Sequence, residues 1–293
     1  MLYPDPFTKK EAWIMKLTVL IDNNTLIDRY LIGEPGVSYL IQEGATQVLF
    51  DVGYSNAFIT NACKMRLDLL QSDYIVLSHG HIDHTGGLDA LIKLYAEAAF
   101  ESMPYKRPQL IGHGHVFYDK ILDGSISIGC TVPETTLRHH FNVTLSKTPV
   151  WLTDKLVFLG EIVRRHDFEN RRPIGTVLTP TGKQPDFMLD DTALAYVGAQ
   201  GLVIITGCSH AGICNIIDHA RSVCGQDKVV DVIGGFHLMR PLAEQLAGTL
   251  AFFRKLRPKA LHACHCVDLA AKIALAGSAN LKEVGVGLSL VYA

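Results

Sequence analysis

The chain has 293 residues, of which 48% are hydrophobic and 19% are charged, and its formal net charge is −2. This composition is typical of a globular chain with a sizeable core and excludes intrinsic disorder. The sequence has no basic run that predicts nucleic-acid binding and no stretch of eighteen apolar residues that predicts a membrane span.

The N-terminus and the cysteines indicate a cytoplasmic protein. Residues 1–14 contain prolines, acids and lysines where a signal peptide needs a continuous apolar core. The seven cysteines are an odd number and fit reduced thiols better than a disulfide framework. We therefore expect a cytoplasmic chain in which residues 1–14 are an extension and residues 15–293 form a single domain.

In the first part of the chain, strand patterns precede helical ones. Four short apolar runs predict strands, at residues 16–21, 37–41, 47–50 and 74–77. Apolar residues at helical spacing predict helices at residues 57–70 and 88–100. Asp51 follows the third strand, and a carboxylate beside a glycine at a strand end is either a turn residue or a group that faces a site.

The middle of the chain is less regular. A short strand is predicted at residues 109–111, and the glycine-rich loop after it carries His115. Residues 124–190 break into short strands and turns with five prolines, which predicts an insertion or a lid. Arg164 and Arg165 lie in this segment, where they either pair with a substrate anion or form part of a solvated surface.

The last third of the chain repeats one unit, in which an apolar run ends in a histidine and gives way to a helix. The predicted strands lie at residues 202–205, 229–233 and 259–261, and the helices after them at 213–223, 242–256 and 269–275. The histidines at strand ends are His79, His210, His237 and either His262 or His265. Because layered α/β folds collect their sites at the carboxyl ends of strands, we expect these histidines to converge.

Residues 78–87, here called the ligand loop, carry the strongest chemical signal. The potential metal ligands in this stretch are His79, His81, Asp83 and His84. Imidazole nitrogens and carboxylates are the ligands that borderline divalent cations such as zinc prefer. In an extended segment the side chains of His79 and His81 point the same way, so together they can bind one ion.

The second half of this stretch predicts the start of a helix. Asp83 and His84 would begin that helix and reach a second ion, and the Asp83 side chain is also placed to cap the helix N-terminus. Gly86 and Gly87 would allow the backbone to pass close to the site.

The spacing of these ligands is similar to the H-x-H-x-D-H signature of the metallo-β-lactamase superfamily. Further blocks resemble the branch of that superfamily that is related to the dihydropterin ribofuranosylaminobenzene 5'-phosphate synthases. They lie at residues 34–41, 49–53, 207–213, 234–238 and 265–266. The resemblance implies an α/β fold of the layered type, an αββα sandwich, with one or two divalent metal ions, zinc before manganese or iron.

The resemblance also implies two sets of three metal ligands. They are His79, His81 and His210 for one ion, and Asp83, His84 and His265 for the other. Asp51 would orient the ligand loop, a role that metal-bound histidines commonly require of a carboxylate.

Some positions depart from the superfamily pattern. A late aspartate usually bridges the metals, and the corresponding region has no clear aspartate, so the bridge is unassigned. Cys208 is expected to be a buried thiol, which leaves the ligands free of sulfur, and His237 is either a ligand or an acid that faces the substrate. The loop after His265 also differs, so His262 is the alternative late ligand.

These ligands favour a metal-dependent hydrolase, in which a metal-bound hydroxide attacks an ester, lactone or phosphoester. Asp83 and His237 would be the catalytic residues that accept or return a proton. The first alternative is a synthase of the branch's type that uses the same metal site. The second is a non-catalytic metal-binding or ligand-sensing domain.

The expected partner is a small molecule, and neither nucleic acid nor a membrane is expected. The helix after Gly212 would present unpaired N–H groups beside His210, which favours a phosphorylated substrate. Arg164, Arg165 and His115 are the other candidates for substrate contact. Nothing in the sequence indicates an oligomeric state.

Overall fold

The computed structural model describes residues 15–293, and the expected extension, residues 1–14, lies outside the described residues. The strands are β1 (Met15–Ile21), β2 (Ser38–Glu43), β3 (Thr46–Phe50), β4 (Tyr74–Val76), β5 (Gln109–Gly112), β6 (Lys120–Leu122), β7 (Ile126–Ser127), β8 (Asn142–Leu145), β9 (Val150–Trp151), β10 (Leu156–Phe158), β11 (Thr176–Thr179), β12 (Gly182–Pro185), β13 (Ala193–Gly198), β14 (Gly201–Thr206), β15 (Val229–Gly235), β16 (Ala260–Cys264) and β17 (Ser289–Tyr292). The helices are α1 (Ala57–Lys64), α2 (Ile82–Thr85), α3 (Leu88–Phe100), α4 (Glu134–His140), α5 (Ile213–Cys224), α6 (Ala243–Leu256) and α7 (Leu269–Ala276), with a 3-10 helix at Leu69–Gln71.

Two large sheets carry the fold. The first has seven strands in the order β17-β1-β2-β3-β4-β5-β8, and the second has six in the order β16-β15-β14-β13-β10-β9. Strands β3, β4, β5 and β8 run parallel to one another, as do β14, β15 and β16. Within each sheet, the loops that follow these parallel strands therefore lie together at one edge.

Apolar side chains fix the order of the layers. Leu17 and Phe50 of the first sheet pack with Val203 and Ile233 of the second in one buried cluster. The outer face of the first sheet packs on α1, α3 and α4, and the outer face of the second packs on α5, α6 and α7. Helices thus cover both outer faces of two facing sheets, which confirms the predicted αββα sandwich.

Most of the predicted strands and helices form close to their predicted bounds, but the helix predicted over residues 57–70 is wrong in its second half. It ends at Lys64, because Arg66 takes a left-handed backbone conformation with φ of 59° that a right-handed helix cannot continue. The Asp68 side chain then accepts the Leu70 N–H at 3.0 Å and starts the separate 3-10 turn.

The segment expected to be an insertion or lid contributes to three sheets. Strands β11 and β12 pair with β6 and β7 in a separate four-stranded sheet, here called the buttress sheet. Strand β8 joins the first large sheet, and β9 and β10 join the second. The chain that leaves β7 bonds to the ligand loop, where the Ile82 N–H donates to the Ile128 carbonyl at 2.9 Å.

All seven cysteines lie in the described part of the chain, and none of them forms a disulfide there. Among residues 15–293, no helix is both long enough and apolar enough to cross a membrane.

Gly87 packs directly against residues 52–58, the segment that connects β3 to α1. A Cβ atom at this position would lie 2.2 Å from the Val52 carbonyl oxygen, 2.7 Å from the Phe58 ring and 2.8 Å from the Ser55 carbonyl oxygen. These separations are shorter than any side chain tolerates. Glycine is therefore required here for the close backbone approach that the sequence predicts.

Replacing Gly87 by Ala should lower the free energy of unfolding by about 1–3 kcal/mol, because the added methyl group has no room. Gly114→Ala is the matched control, since a Cβ there meets no atom within 4 Å. Urea denaturation of both variants measures the difference. Equal stability of the two variants would contradict the close packing behind the ligand loop.

Candidate metal centre

The loops that follow β4, β14 and β16 bring potential metal ligands together. Their ligand atoms form two groups, and within each group all atoms lie within 4.8 Å of one another. The groups are Asp83, His84, Cys208 and His265, and His79, Cys208 and His210. We call Asp83, His84 and His265 the aspartate group. We call His79 and His210, together with the adjacent His81, the histidine group.

The rings of the histidine group face one another. Their centroids are 4.7 to 4.8 Å apart, and the Nε2 atoms of His79 and His81 and both nitrogens of His210 are buried without a hydrogen-bond partner among the described residues. Burial lowers the pKa of all three residues, that of His81 to about 4. Neutral imidazoles with unpaired buried nitrogens are costly by themselves and fit a divalent metal ion.

The aspartate group contains a carboxylate and two imidazoles. The Nε2 atoms of His84 and His265 are 3.3 Å apart, and the Asp83 Oδ2 atom lies 3.7 Å from the first and 3.4 Å from the second. Burial opposes ionisation of Asp83, but His84 and His265 outweigh it and hold the pKa of this carboxyl below its usual value. This donor set also fits a divalent metal ion.

Cys208 lies between the two groups. Its Sγ atom is 3.2 Å from the His84 Nε2 atom and 3.0 Å from the His265 Nε2 atom, and it also lies within reach of His79 and His210. The thiol is buried, as predicted, but its sulfur also lies among the potential ligand atoms at both groups, which the expected set without sulfur left out. Burial raises the pKa of the Cys208 thiol, so a thiolate here needs a nearby cation.

Asp51, directly after β3, bonds to the ligand loop. Its Oδ1 atom accepts the Ser78 N–H at 2.7 Å, and its Oδ2 atom lies 2.6 Å from the Ser78 Oγ atom and 2.7 Å from the His84 Nδ1 atom. Burial disfavours the charged form of His84, but the Asp83 and Asp51 carboxylates outweigh it and raise its pKa to about 9. The bond to Nδ1 directs the other ring nitrogen, Nε2, toward the aspartate group.

The predicted capping role of Asp83 is wrong. The N-cap position of α2 is His81, and no side chain forms a capping hydrogen bond there. Asp83 lies within the first turn, and its carboxylate is directed at His84 and His265 instead. The attraction to two imidazoles displaces the local cap.

The two remaining histidines at strand ends have different surroundings. His237 lies next to the histidine group, with its ring centroid 4.4 Å from that of His210 and its Nδ1 atom without a partner among the described residues. His262 belongs to neither group, because its Nδ1 atom bonds to the Asp231 carboxylate at 2.9 Å. The structure thus places His265, and not His262, in the aspartate group.

The predicted substrate-facing residues lie outside both groups. The Arg164 guanidinium donates to the Met188 carbonyl at 2.8 Å and to the Asn170 side chain. The Arg165 side chain is exposed, and the His115 ring stacks on Tyr118 with centroids 4.8 Å apart. Arg164 reaches the centre only indirectly, since Asn170 in turn donates to the His210 carbonyl at 2.8 Å.

The sequence predicts unpaired N–H groups for a phosphate at the N-terminus of α5, but the structure shows two of these groups bonded to a side chain of the same chain. The buried Glu169 carboxylate accepts the N–H groups of Cys214 and Asn215, each at 2.9 Å. A Cβ atom at Gly212 would lie 2.1 Å from a Glu169 oxygen, so this acid fills the helix end. The chain's own carboxylate has taken the anion position that the helix dipole creates.

A buried ion network that the sequence did not reveal holds the ligand loop. Lys120 of the buttress sheet is 1% exposed, and its Nζ atom lies 2.8 Å from Asp190 and 3.0 Å from Asp186. The other Asp190 oxygen accepts the Gly80 N–H at 2.8 Å, between His79 and His81. Asp186 and Asp190 are acidic residues just before β13, but nothing local in the sequence indicates that they meet a lysine so far away in the chain.

A family model described as the metallo-beta-lactamase superfamily matches residues 31–214. The chain belongs to the metallo-β-lactamase superfamily. A curated relative from Methanocaldococcus jannaschii, 7,8-dihydropterin-6-methyl-4-(beta-D-ribofuranosyl)-aminobenzene-5'-phosphate synthase, is 30% identical over 81% of this chain and 82% of its own. The predicted resemblance to this superfamily is thus confirmed.

Two solved structures share the fold of this metallo-β-lactamase superfamily member. Tm1679, described as a metal-dependent hydrolase of the beta-lactamase superfamily, is 24% identical with a TM-score of 0.78 and covers 94% of this chain and 98% of its own. YhfI from Bacillus subtilis, described as a metallo-beta-lactamase fold protein, is 13% identical with a TM-score of 0.55 and covers 95% and 99%. At these identities the likeness extends to the fold alone.

Replacing Cys208 by Ser should weaken zinc binding by tenfold or more, because the alcohol is a much poorer ligand than a thiolate. The cobalt-loaded wild-type protein should also show a thiolate-to-metal charge-transfer absorption that the variant lacks. Cys63→Ser, at an exposed cysteine, is the control. An unchanged absorption in the Cys208 variant would show that this sulfur does not bind the metal.

Replacing Lys120 by Met leaves two buried carboxylates without their cation, so the free energy of unfolding should fall by about 3–5 kcal/mol. The control is Lys93→Met, which breaks an exposed ion pair with Asp89 and should cost less than about 1 kcal/mol. Denaturant titration measures both. If the two variants were equally stable, the buried network would not support the ligand loop.

Proposed function

We propose that this superfamily member is a metal-dependent hydrolase that cleaves an ester or phosphoester bond of a small molecule. One observation carries the proposal. Two adjacent sets of potential ligand atoms meet at the Cys208 sulfur, and the buried ring nitrogens of the histidine group lack the hydrogen bonds that a purely structural polar cluster would make. Such a pair of sites is typical of hydrolytic metal centres.

The aspartate and histidine groups would hold the metals, zinc first, with Cys208 contributing to both. Divalent ions bound there supply Lewis acidity and activate water for attack on an ester or phosphoester. The chain's own part is to fix these ligands. Asp51 fixes the ring orientation of His84, and Asn23 fixes that of His265 through a 2.8 Å contact to its Nδ1 atom.

His237 is the side chain best placed to exchange a proton with a substrate. It lines a cavity of about 230 Å³ together with His210 of the histidine group. Its backbone N–H bonds to the Cys266 sulfur at 3.2 Å, which holds the residue in place, and its Nδ1 atom has no partner among the described residues. A ring so placed can protonate the group that leaves.

A synthase is the second candidate, and the 30% identity to a protein named as a synthase favours it. The same ligand groups could bind the pyrophosphate of a phosphoribosyl-type donor or the carboxylate of an aromatic acid. The two candidates differ in products. A hydrolase forms product from one substrate and water, whereas a synthase forms product only when donor and acceptor are both present.

The proposal is tested with zinc-loaded protein on phosphodiester, phosphomonoester, lactone and thioester substrates. At least one should be hydrolysed, and removal of the metal with a chelator should abolish the activity reversibly. Asp83→Ala should lower turnover at least a hundredfold, because an aspartate-group ligand is lost, while the circular dichroism spectrum stays unchanged.

The control for this variant is Asp89→Ala, at an exposed carboxylate in the first turn of α3. It should retain full turnover. Hydrolysis by metal-free protein would overturn the proposal. Two bound metals without turnover of any substrate would instead indicate the non-catalytic metal-binding domain.

A further inference from the structure

The cavity beside His210 and His237 carries an unusual charge. Three arginines line it, Arg171, Arg172 and Arg240. None of the described residues that line this cavity has a carboxylate side chain. We call these three residues the arginine cluster. Glu244 balances only one of the three charges, and the positive charge that remains beside the candidate metal centre attracts an anionic ligand.

Two members of the arginine cluster have guanidinium groups that are not engaged. Arg171 pairs with Glu244 of α6. Within residues 15–293, the guanidinium groups of Arg172 and Arg240 form neither a hydrogen bond nor an ion pair with another side chain. The backbone N–H of Arg240 donates to the Asp268 carboxylate at 2.7 Å, which fixes the main chain. Hydrogen bonds from backbone N–H groups lower the pKa of this carboxyl most, and the Arg240 charge helps to lower it without forming an ion pair with it.

The backbone beneath the arginine cluster is anchored to the metal centre. Arg171 and Arg172 directly follow Glu169 and Asn170, whose side chains bond to the N-terminus of α5 and to the His210 carbonyl. Arg240 lies three residues after His237. A ligand held by these arginines would therefore keep a fixed position relative to the histidine group, which is what catalysis requires of a binding subsite.

The same cavity has an apolar wall. Met239 is 65% exposed and Leu242 is 38% exposed, and both line the cavity together with Phe168 and Ile174. Exposed apolar side chains beside a charged cluster are typical of a site for a small molecule with an apolar body and a few polar anchors.

The number of arginines favours a phosphate over a carboxylate. Arg172 and Arg240 line the same cavity from two separate chain segments, so it offers two guanidinium groups that have no partner among the described residues. One guanidinium already satisfies both oxygens of a carboxylate, whereas a phosphate monoester has three terminal oxygens that accept hydrogen bonds from more than one guanidinium. The end of α5 cannot compete for the phosphate, because Glu169 fills it.

We propose that the arginine cluster is an anion subsite that binds the phosphate monoester group of the substrate, with Arg172 and Arg240 as its main ligands. The apolar wall holds the body of the substrate, and the bond to be cleaved lies at the histidine group. This inference rests on the proposed hydrolase function and adds a substrate class to it, an ester with a separate terminal phosphate.

The test is isothermal titration calorimetry of the zinc-loaded protein with phenylphosphonate, a stable probe that has both an aromatic body and a phosphate-like head. Arg172→Gln and Arg240→Gln should each weaken its binding by tenfold or more, since each removes charged hydrogen bonds. Binding to the wild-type protein should also weaken steeply as salt is added.

Arg257→Gln is a matched control, because Arg257 is an exposed arginine with φ of 50° and Arg240 has φ of 52°, and Arg257 does not line the cavity. Its affinity should stay within twofold of wild type. Equal affinity in wild type and in the Arg172→Gln/Arg240→Gln double variant, or no binding at all to wild type, would overturn the subsite.

Benzoate separates the two sources of negative charge. If it binds as tightly as phenylphosphonate and shows the same loss in both variants, the assignment to phosphate is wrong. The titration does not depend on turnover, so its outcome is independent of the hydrolase assay. Arginine-dependent binding without hydrolysis of any substrate would overturn the hydrolase proposal and leave the subsite standing.

Discussion

Buried ring nitrogens without hydrogen bonds are the constraint on which this molecule depends. The three rings of the histidine group pack edge to face in the protein interior, and each has at least one buried nitrogen without a partner among the described residues. Without a shared cation, such an arrangement is costly in polar desolvation. A divalent cation held by these rings would offset that cost, so we expect metal binding to stabilise the fold.

The surrounding structure holds these ligands against that cost. Asp51 bonds to the ligand loop from the end of β3, and Asp190 bonds to the Gly80 N–H from the opposite side. Lys120 of the buttress sheet forms a buried ion pair with Asp190. This ion pair links the buttress sheet to the ligand loop. The segment that looked like an insertion in the sequence thus supplies one of the supports of the metal centre.

Near the cavity beside His237, a carboxylate and two arginines of one segment have opposite roles. Glu169 neutralises the end of α5, so the anion attraction of that helix is used within the fold. Arg171 and Arg172 follow Glu169 in the same segment, and both line the cavity beside His237. The fold thereby separates a buried structural anion from an open cationic surface within a few residues of chain.

The sequence by itself determined most of the strands and helices and the residues of the ligand loop, and its resemblance to the metallo-β-lactamase superfamily implied the layered αββα fold. The strands, helices and ligand loop are local features, since they depend on apolar periodicity and on ligand spacing within a few residues. Only the tertiary structure decided the place of Cys208, the pairing of His262 with Asp231, the use of Glu169 as a helix cap and the contact of Lys120 with Asp190. Each of these joins side chains that are far apart in the chain, and their charges and hydrogen bonds are set by which neighbours folding brings to them.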